Sequence, residues 1–317
     1  MNAKFKTAAF SLCALFVLSS SSFALKPERH YPAIPSDYGI VCRDVSFMTA
    51  DSIRLKGWFF PAQDTSGIAN SIIGRMMPVP EELKPKARAY ATLDESKRPT
   101  IIICDGDAGN MTDLIFYAYH FFTRGYNVLL FDWRGFGESA DWPTEQDRLC
   151  YAEYIRDYDA AVDFVKRQPE VDTARIGVMG FSTGAYLSFA IAIKRNDIAA
   201  YVGRALLTSF DDMLPILKKI SPDRNFLAPE NYPAELLPVN AAKRLTIPVF
   251  LIVGEKDNRT PPWMSEKIAD ELQGPKELWI VPDADHGGVN GPEFITYPEF
   301  FDRAAAFYDR YLKGKKE

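Results

Sequence analysis

The chain has 317 residues, of which 47% are hydrophobic and 25% are charged, and this composition is typical of a globular protein with a full core. Its formal net charge is −5, and no run of lysine or arginine occurs in the body of the chain. This charge argues against nucleic acid or an anionic membrane as the main partner, and the basic residues 313–316 are typical of a solvated tail.

The first 24 residues have the pattern of a secretory signal peptide. Lys4 and Lys6 precede an apolar stretch at residues 8–18, and small residues occupy positions 22 and 24. The alternative is a membrane anchor, but the apolar stretch is short for a span of about 20 residues. We therefore expect cleavage after Ala24 and a periplasmic or secreted protein that is not stably inserted in a membrane.

Three cysteines follow the predicted signal peptide: Cys42, Cys104 and Cys150. An exported protein can hold a disulfide, and Cys42 with Cys150 is the pair that we consider. Cys104 ends an apolar run and is expected to be a buried strand residue. Since the chain has no CxxC motif and no cluster of histidine and cysteine, the sequence predicts no metal site.

The sequence predicts one domain at residues 25–317, in which strands and helices alternate. An N-terminal pair of strands is expected at residues 39–49 and 53–61. Residues 63–98 contain much proline, serine and charge, and are expected to be an insertion at the sheet edge. A second excursion, with one amphipathic helix and a Pro-rich loop, is expected at residues 209–244 and would serve as a small lid.

The central part of the chain alternates short apolar strands with helices. Further strands are predicted at residues 101–104, 127–132, 175–180, 202–208, 249–253 and 278–281. Helices are predicted at residues 112–124, 151–167, 184–195 and 298–312. The strands are apolar throughout, which is typical of a mostly parallel sheet with both faces covered. We therefore predict the α/β class, with about eight strands and helices on both faces.

A serine stands between two glycines in the segment Gly180-Phe181-Ser182-Thr183-Gly184, after a predicted strand and before a predicted helix. Glycines have no Cβ and therefore permit a sharp turn that exposes the serine Oγ at the carboxyl edge of the sheet. The helix N-terminus behind the serine offers free N–H groups. This context favours Ser182 as a nucleophile over a serine that merely occupies a turn.

A serine hydroxyl needs a general base, and the chain has three histidines. His30 lies close to the start of the predicted mature chain, and His120 lies inside a predicted helix among aromatic residues. His286 follows the last predicted strand, in the segment VPDADHGG. His286 is therefore the expected base.

The base in turn needs a carboxylate that orients it. Asp257 lies in the loop after the preceding strand, in the segment GEKDNRTPP, and is the expected acid. Glu255 is nearer to the end of that strand, but the spacing favours Asp257. Asp211 or Asp212, in the loop one strand earlier, is the runner-up.

Five segments carry a resemblance to a known superfamily: IIICDGDAGN, LLFDWRGFGES, DYDAAVDFVKRQPEVDTARIGVMGFSTGA, IPVFLIVGEKDNRTPP and PDADHGG. Together with the chain order serine, aspartate, histidine, they resemble the serine hydrolases of the α/β-hydrolase superfamily. The nearest subgroup has serine aminopeptidase-like and dienelactone-hydrolase-like members. The resemblance covers the chain from about residue 99 onward. It implies an eight-stranded sheet and hydrolysis of an ester, thioester, amide or related bond through an acyl-enzyme, without metal or cofactor.

One segment departs from the pattern of the superfamily. Relatives usually read HGNAGN after the third strand, whereas this chain reads DGDAGN at residues 105–110. The resemblance implies an oxyanion hole made by the backbone N–H groups of Asp107 and Thr183, which survive a change of side chain. The carboxylates of Asp105 and Asp107 would oppose the developing negative charge unless Arg134 neutralises them or they turn away. A cationic or amine-bearing substrate would suit these carboxylates.

The leading functional prediction is an exported carboxylesterase. A lid as small as residues 209–244 cannot enclose a long lipid chain, so a small or medium acyl substrate is expected, although residues 63–98 could instead cover the site. An aminopeptidase-like peptidase and an acyltransferase stay open as alternative enzymes. An inactive hydrolase fold that serves as a binding protein is the alternative from another class. The expected partner is a small-molecule ester or a peptide-like substrate.

Overall fold

The computed structural model describes residues 24–63 and 96–314 of the chain. The predicted signal peptide, apart from Ala24, and most of the predicted insertion at residues 63–98 lie outside the described residues. Within these two ranges, no helix is both long enough and apolar enough to cross a membrane.

The strands in the described ranges are β1 (Lys26–Pro27), β2 (Arg43–Met48), β3 (Arg54–Phe60), β4 (Arg98–Cys104), β5 (Ala108–Gly109), β6 (Asn127–Phe131), β7 (Val171–Phe181), β8 (Ala200–Arg204), β9 (Val249–Gly254) and β10 (Lys276–Val281). Eight of these described strands form one sheet in the order β10-β9-β8-β7-β4-β6-β3-β2, and β1 pairs with β5. In this sheet β3 runs antiparallel to both β2 and β6, and the other neighbouring pairs of described strands run parallel. The predicted mostly parallel sheet is therefore confirmed.

The α-helices in the same ranges are α1 (Ile115–Phe122), α2 (Tyr154–Lys166), α3 (Thr183–Lys194), α4 (Phe210–Ile220), α5 (Pro238–Ala241), α6 (Pro262–Glu271), α7 (Pro292–Ile295) and α8 (Glu299–Leu312). The sequence did not predict α6. Its buried apolar side chains are few, chiefly Met264 and Ile268 at a spacing of four residues, so its helical pattern is weak.

Helices cover both faces of the sheet. Successive side chains of a strand point to opposite faces, so Ile102 and Val178 lie in one core cluster, while Ile103 and Met179 lie in another. The first cluster includes residues of α2, α3 and α6, and the second includes residues of α1 and α8. Because each buried Val, Ile, Leu or Phe side chain contributes about 1.5–3 kcal/mol, the two layers give the sheet a stable support on each side.

The disulfide considered between Cys42 and Cys150 is not formed. Cys42, Cys104 and Cys150 are all free in the described part of the chain. Cys42 packs against the cluster on one face of the sheet, whereas Cys150 belongs to the cluster on the other face. Cys104 is a buried strand residue, as predicted.

The parallel strands β4, β7, β8, β9 and β10 all point the same way, so the loops after them gather at one edge of the sheet. In open α/β sheets, ligands bind outside the carboxyl ends of the strands. The predicted functional residues lie in loops at this edge.

Candidate active site

The predicted nucleophile occupies a sharp turn between β7 and α3. Ser182 has φ 50° and ψ −115°, which is a rare conformation for a residue with a side chain. Strain of this kind costs about 1–3 kcal/mol and is found mainly where function requires it. The turn is held because the Ser182 N–H donates to the Arg204 carbonyl at 2.9 Å.

The two glycines of the turn are required by close contacts. A Cβ on Gly180 would lie 2.4 Å from the carbonyl oxygen of Gly184. A Cβ on Gly184 would lie 2.1 Å from the carbonyl oxygen of Asp105. Both distances are shorter than any normal contact, so only glycine lets the strand, the helix and the loop after β4 approach one another here.

His286 lies opposite the serine. Its Nε2 is 3.1 Å from the Oγ of Ser182, which is hydrogen-bond distance. The side chain is 11% exposed, so solvent still reaches it from one side. Its ring lies beside the ring of Phe181, with 5.2 Å between the centroids. The structure therefore brings together the serine and the histidine that the sequence paired, 104 residues apart.

Asp257 completes the chain of hydrogen bonds. Its two carboxylate oxygens lie 2.8 Å and 3.0 Å from Nδ1 of His286. The carboxylate also accepts the backbone N–H groups of Arg259 and Thr260 and the hydroxyl of Thr260. Burial would raise the pKa of Asp257, but His286 and the bonds from Thr260 outweigh it and hold that pKa below the usual range. Asp257 is therefore ionised at neutral pH.

The candidates for base and acid that the sequence did not favour lie away from this site. His120 stacks on Phe301 with 3.8 Å between the ring centroids, and burial followed by the charge of Arg124 lowers the pKa of His120 to about 3. Asp212, the runner-up acid, accepts the hydroxyl of Thr208 instead of contacting the base.

Glu255 also points away from the histidine, because its carboxylate accepts the backbone N–H of Asp283. The exposed His30 donates its backbone N–H to Glu28.

The loop at residues 105–110 lies against the nucleophile turn. A Cβ built on Gly106 would lie 3.7 Å from the Cβ of Ser182. Thr183 is the first residue of α3, and a backbone N–H in the first turn of a helix has no acceptor within the helix. The two segments that carry the predicted oxyanion donors, Asp107 and Thr183, are therefore neighbours in space.

Arg134, considered from the sequence as one way to neutralise the acidic loop, pairs with other carboxylates. Arg134 is fully buried in ion pairs with Asp51 at 2.8 Å and Asp157 at 2.7 Å. Instead, Arg259 lies 3.3 Å from a carboxylate oxygen of Asp107. Sequence analysis missed Arg259 although it lies two residues after the predicted acid, because the pairing joins loops 152 residues apart.

The negative charge of Asp105 is reduced in a different way from that of Asp107. Burial raises its pKa to about 7, although the hydrogen bond from the Gly106 N–H and the charge of Arg204 act in the opposite direction. A carboxyl with this pKa is in good part protonated at neutral pH. The acidic loop therefore carries less negative charge than its sequence indicates.

An N-terminal segment that the sequence analysis did not connect with the site supports this loop from outside. Lys26 donates its backbone N–H to the Asp107 carbonyl at 2.8 Å, and Glu28 donates to the Gly109 carbonyl at 3.0 Å. The side chain of Asn110 donates to the carbonyls of Glu28 and His30. These bonds hold the loop between the segment and the sheet.

The predicted lid region has the expected order, with α4 at its start and an irregular Pro-containing stretch after it. A cavity of about 490 Å³ lies between this stretch and the loop before α2, lined by residues including Trp142, Arg148, Tyr151 and Glu230. Its lining does not include the serine, the histidine or the aspartate described above. Within the described ranges, no group of three or more His, Cys, Asp or Glu side chains is placed to hold a metal ion.

The sheet order, the strained serine turn and the hydrogen-bonded serine, histidine and aspartate define an α/β-hydrolase of the serine hydrolase class, as the resemblance implied. The chain belongs to the prolyl oligopeptidase family, whose model matches residues 113–315 and so more than half of the chain. A similar protein is the uncharacterized protein Rv2307c of Mycobacterium tuberculosis, which is 29% identical over 265 residues, covering 84% of this chain and 78% of the relative.

Two solved structures share the fold. The esterase Pf2001 of Pyrococcus furiosus superposes with a TM-score of 0.65 at 20% identity, covering 90% of this chain and all of the esterase. A puromycin-hydrolyzing peptidase of Mycobacterium tuberculosis superposes with a TM-score of 0.64 at 18% identity, covering 89% of this chain and 40% of the peptidase. At these levels of sequence identity, the likeness is evidence for the fold alone.

Proposed function

We propose that the protein is an exported carboxylesterase that cleaves small or medium acyl esters through an acyl-enzyme on Ser182. The observation that carries this proposal is the continuous hydrogen-bond chain from Ser182 through His286 to Asp257, on a turn with positive φ. A serine hydroxyl becomes a useful nucleophile only when a base is within reach and the base is itself oriented, and both conditions are met here.

In the first half of the reaction, Oγ of Ser182 attacks the carbonyl carbon while Nε2 of His286 takes the hydroxyl proton. Asp257 holds Nδ1 of the imidazole and stabilises the imidazolium that results. The imidazolium then gives its proton to the leaving alcohol as the tetrahedral intermediate collapses. The products of this half are the free alcohol and an ester between Ser182 and the acyl group.

The backbone N–H groups of Thr183 and Asp107 are the proposed donors to the oxyanion. Negative charge near that position would raise the barrier. The Arg259 guanidinium beside Asp107 and the raised pKa of Asp105 both reduce such charge. The altered loop is therefore compatible with the chemistry at neutral pH.

In the second half, a water molecule replaces the alcohol. His286 takes a proton from this water as the oxygen attacks the acyl carbon, and the same proton is returned to Oγ of Ser182 when the acid leaves. No group besides the three side chains and the two backbone donors is needed for this cycle.

A second candidate function is cleavage of a peptide bond by the same cycle. The match to the prolyl oligopeptidase family favours it. An amine leaving group needs the same proton from His286 that an alcohol receives, so the triad serves either reaction. The short region around α4 favours a small substrate in both cases.

Export is part of the proposal. It rests on the charged residues, apolar stretch and small residues of positions 1–24. Expression of the full chain with a C-terminal tag, followed by cell fractionation and determination of the mature N-terminus, tests it. A periplasmic or secreted protein beginning at Leu25 is the expected result, and an unprocessed cytoplasmic protein contradicts it.

The central experiment uses a fluorophosphonate probe on the purified mature protein, with intact mass as the readout. Wild type is expected to gain one adduct, and Ser182→Ala and His286→Ala are expected to gain none. In turnover of p-nitrophenyl acetate, Ser182→Ala should lose about 10⁴-fold or more, because the members of a triad act as a unit. An active Ser182→Ala protein would overturn the assignment of Ser182 as the nucleophile.

A panel of acyl esters and N-terminally free peptides then separates the two candidate functions. Faster turnover of the esters supports the esterase, and faster turnover of the peptides supports the peptidase. A folded wild type that gains no adduct and turns over neither class favours a binding protein with a hydrolase fold.

A further inference from the structure

A buried ion pair lies directly behind the serine and the histidine. Arg204 is the last residue of β8, and its side chain is 3% exposed. Its Nη2 lies 3.2 Å from Oε1 of Glu293 in α7, whose side chain is 4% exposed. Removing two charges from water is costly, and a buried pair adds little stability over apolar residues of the same shape. Stability alone is therefore a poor explanation for this pair.

Arg204 contacts both sides of the proposed reaction centre. Its backbone carbonyl accepts the N–H of Ser182 at 2.9 Å. Its Nη1 donates to the backbone carbonyl of His286 at 2.8 Å. One residue thus joins the backbone of the nucleophile to the backbone of the base.

An aromatic ring completes this arrangement. The guanidinium carbon of Arg204 lies 3.5 Å from the centroid of Phe181, the residue before the nucleophile. His286 packs beside the same ring. A Cβ on the next residue, Gly287, would come within 3.1 Å of that ring, so the histidine loop sits tightly against it.

The guanidinium remains charged in this setting. Burial would lower the pKa of Arg204, but the negative charge of Glu293, with smaller contributions from Tyr117 and Asp105, outweighs burial and raises that pKa. A permanently charged, planar group can donate in two directions while its face stacks on an aromatic ring. A lysine ammonium offers no such planar fork.

We propose that Arg204, held by Glu293, is a positioning residue that fixes the His286 backbone against the Ser182 turn and so sets the distance between Nε2 and Oγ. This inference rests on the proposed function, because that distance matters to a reaction only if His286 acts on Ser182. Arg204 itself contacts neither the substrate nor the reacting atoms in this role.

The test removes both charges at once, since a lone buried charge could unfold the protein. The variant is Arg204→Met with Glu293→Gln. The matched control is Arg134→Met with Asp157→Asn, which removes another buried arginine–carboxylate pair, one that the structure places against Asp51 and Trp142 rather than the histidine. Both variants are compared with wild type for folding by circular dichroism.

Three readouts separate positioning from stability: the rate of fluorophosphonate labelling, kcat and KM for p-nitrophenyl acetate, and the downfield ¹H NMR signal of the proton on Nδ1 of His286. For the Arg204 variant we expect labelling and kcat to fall about 100-fold, as displacement of a reacting group by about 1 Å can do. We expect KM to change little and the NMR signal to broaden or disappear. The control should keep the wild-type rates and signal.

A folded Arg204→Met, Glu293→Gln protein with the wild-type labelling rate and NMR signal overturns the inference. If that protein does not fold, the single variant Arg204→Lys provides the test. A labelling rate below that of wild type with an unchanged KM supports the inference. A kcat equal to that of wild type overturns it. If wild type itself is never labelled, the proposed function fails. The NMR signal of His286 then still tests the positioning role, because the signal is lost in the Arg204 variant only if Arg204 holds the ring.

Discussion

Asp257 and Asp105 are both carboxylates at the carboxyl edge of the same sheet, and the structure shifts their pKa values in opposite directions. Burial disfavours the ionised form of each carboxyl group. Asp257 receives hydrogen bonds from Arg259, Thr260 and His286, and its pKa lies below the usual range. Asp105 accepts the Gly106 N–H and lies near the charge of Arg204, and its pKa rises to about 7.

The difference shows that burial decides the pKa of Asp105, which has few partners, whereas the donors around Asp257 outweigh burial. A carboxylate with several donors stays ionised even when it is fully enclosed. Asp257 can therefore stabilise a positive imidazolium. Asp105 lies in the loop beside the nucleophile turn, where the proposed oxyanion forms, and there a neutral carboxyl opposes the reaction less than a charged one.

The largest expected effect on activity comes from removing the charge of Asp257. Asp257→Asn should lower kcat for p-nitrophenyl acetate by about 10⁴-fold, because the amide no longer favours the productive tautomer of His286. Steady-state kinetics and fluorophosphonate labelling measure this loss. The matched control is Asp212→Asn, the runner-up acid from the sequence, which should keep wild-type activity. A larger loss in Asp212→Asn than in Asp257→Asn would show that the acid has been misassigned.

A smaller effect is expected from removing one donor to that carboxylate. Thr260→Val keeps the shape of a buried side chain but removes the hydroxyl that donates to Asp257. A hydrogen bond to a charged group contributes about 1.5–3 kcal/mol, and kcat/KM should therefore fall about 10- to 100-fold. Thr123→Val, which removes a hydroxyl bond to the Tyr119 carbonyl at the end of α1, serves as the control. Equal activity of the two variants would mean that the backbone donors suffice.

The raised pKa of Asp105 predicts that the stability of the protein depends on pH. Its raised pKa means that ionised Asp105 is disfavoured in the folded state. This cost is absent below the unfolded pKa of about 4. It grows as the pH rises toward 7 and is complete above the folded pKa. Asp105→Asn removes the cost, so the variant should gain a few kcal/mol over wild type at pH 8 and much less at pH 4.5. Urea unfolding at the two pH values measures the difference, and an equal effect at both would contradict the raised pKa.

The same variant gives the smallest expected effect on activity. Above pH 7 the wild-type carboxylate carries charge close to the proposed oxyanion site, while the amide does not. The ratio of kcat/KM for Asp105→Asn over wild type should therefore rise by about 10-fold or less from pH 6 to pH 9. A ratio that stays constant over this range would show that Asp105 does not influence the oxyanion.

Much of this site could be predicted from local sequence patterns. The glycines around Ser182 lie between a strand pattern and a helix pattern, and the structure shows the close contacts that require both. His286 could be chosen because the chain has three histidines and one of them follows the last strand. The helix α6 was missed because few apolar side chains mark its buried face.

Local sequence patterns were enough to predict the alternation of strands and helices, the tight serine turn, and the serine, histidine and aspartate that the structure brings together. These features depend on side-chain periodicity and on residue types at short spacing, which are visible along the chain. Only the three-dimensional arrangement shows which arginine meets which carboxylate, that Cys42 and Cys150 lie on opposite faces of the sheet, and that the pKa values of Asp257 and Asp105 shift in opposite directions. Ion pairs and pKa values depend on distances through space, and the residues that set them here come from distant parts of the chain.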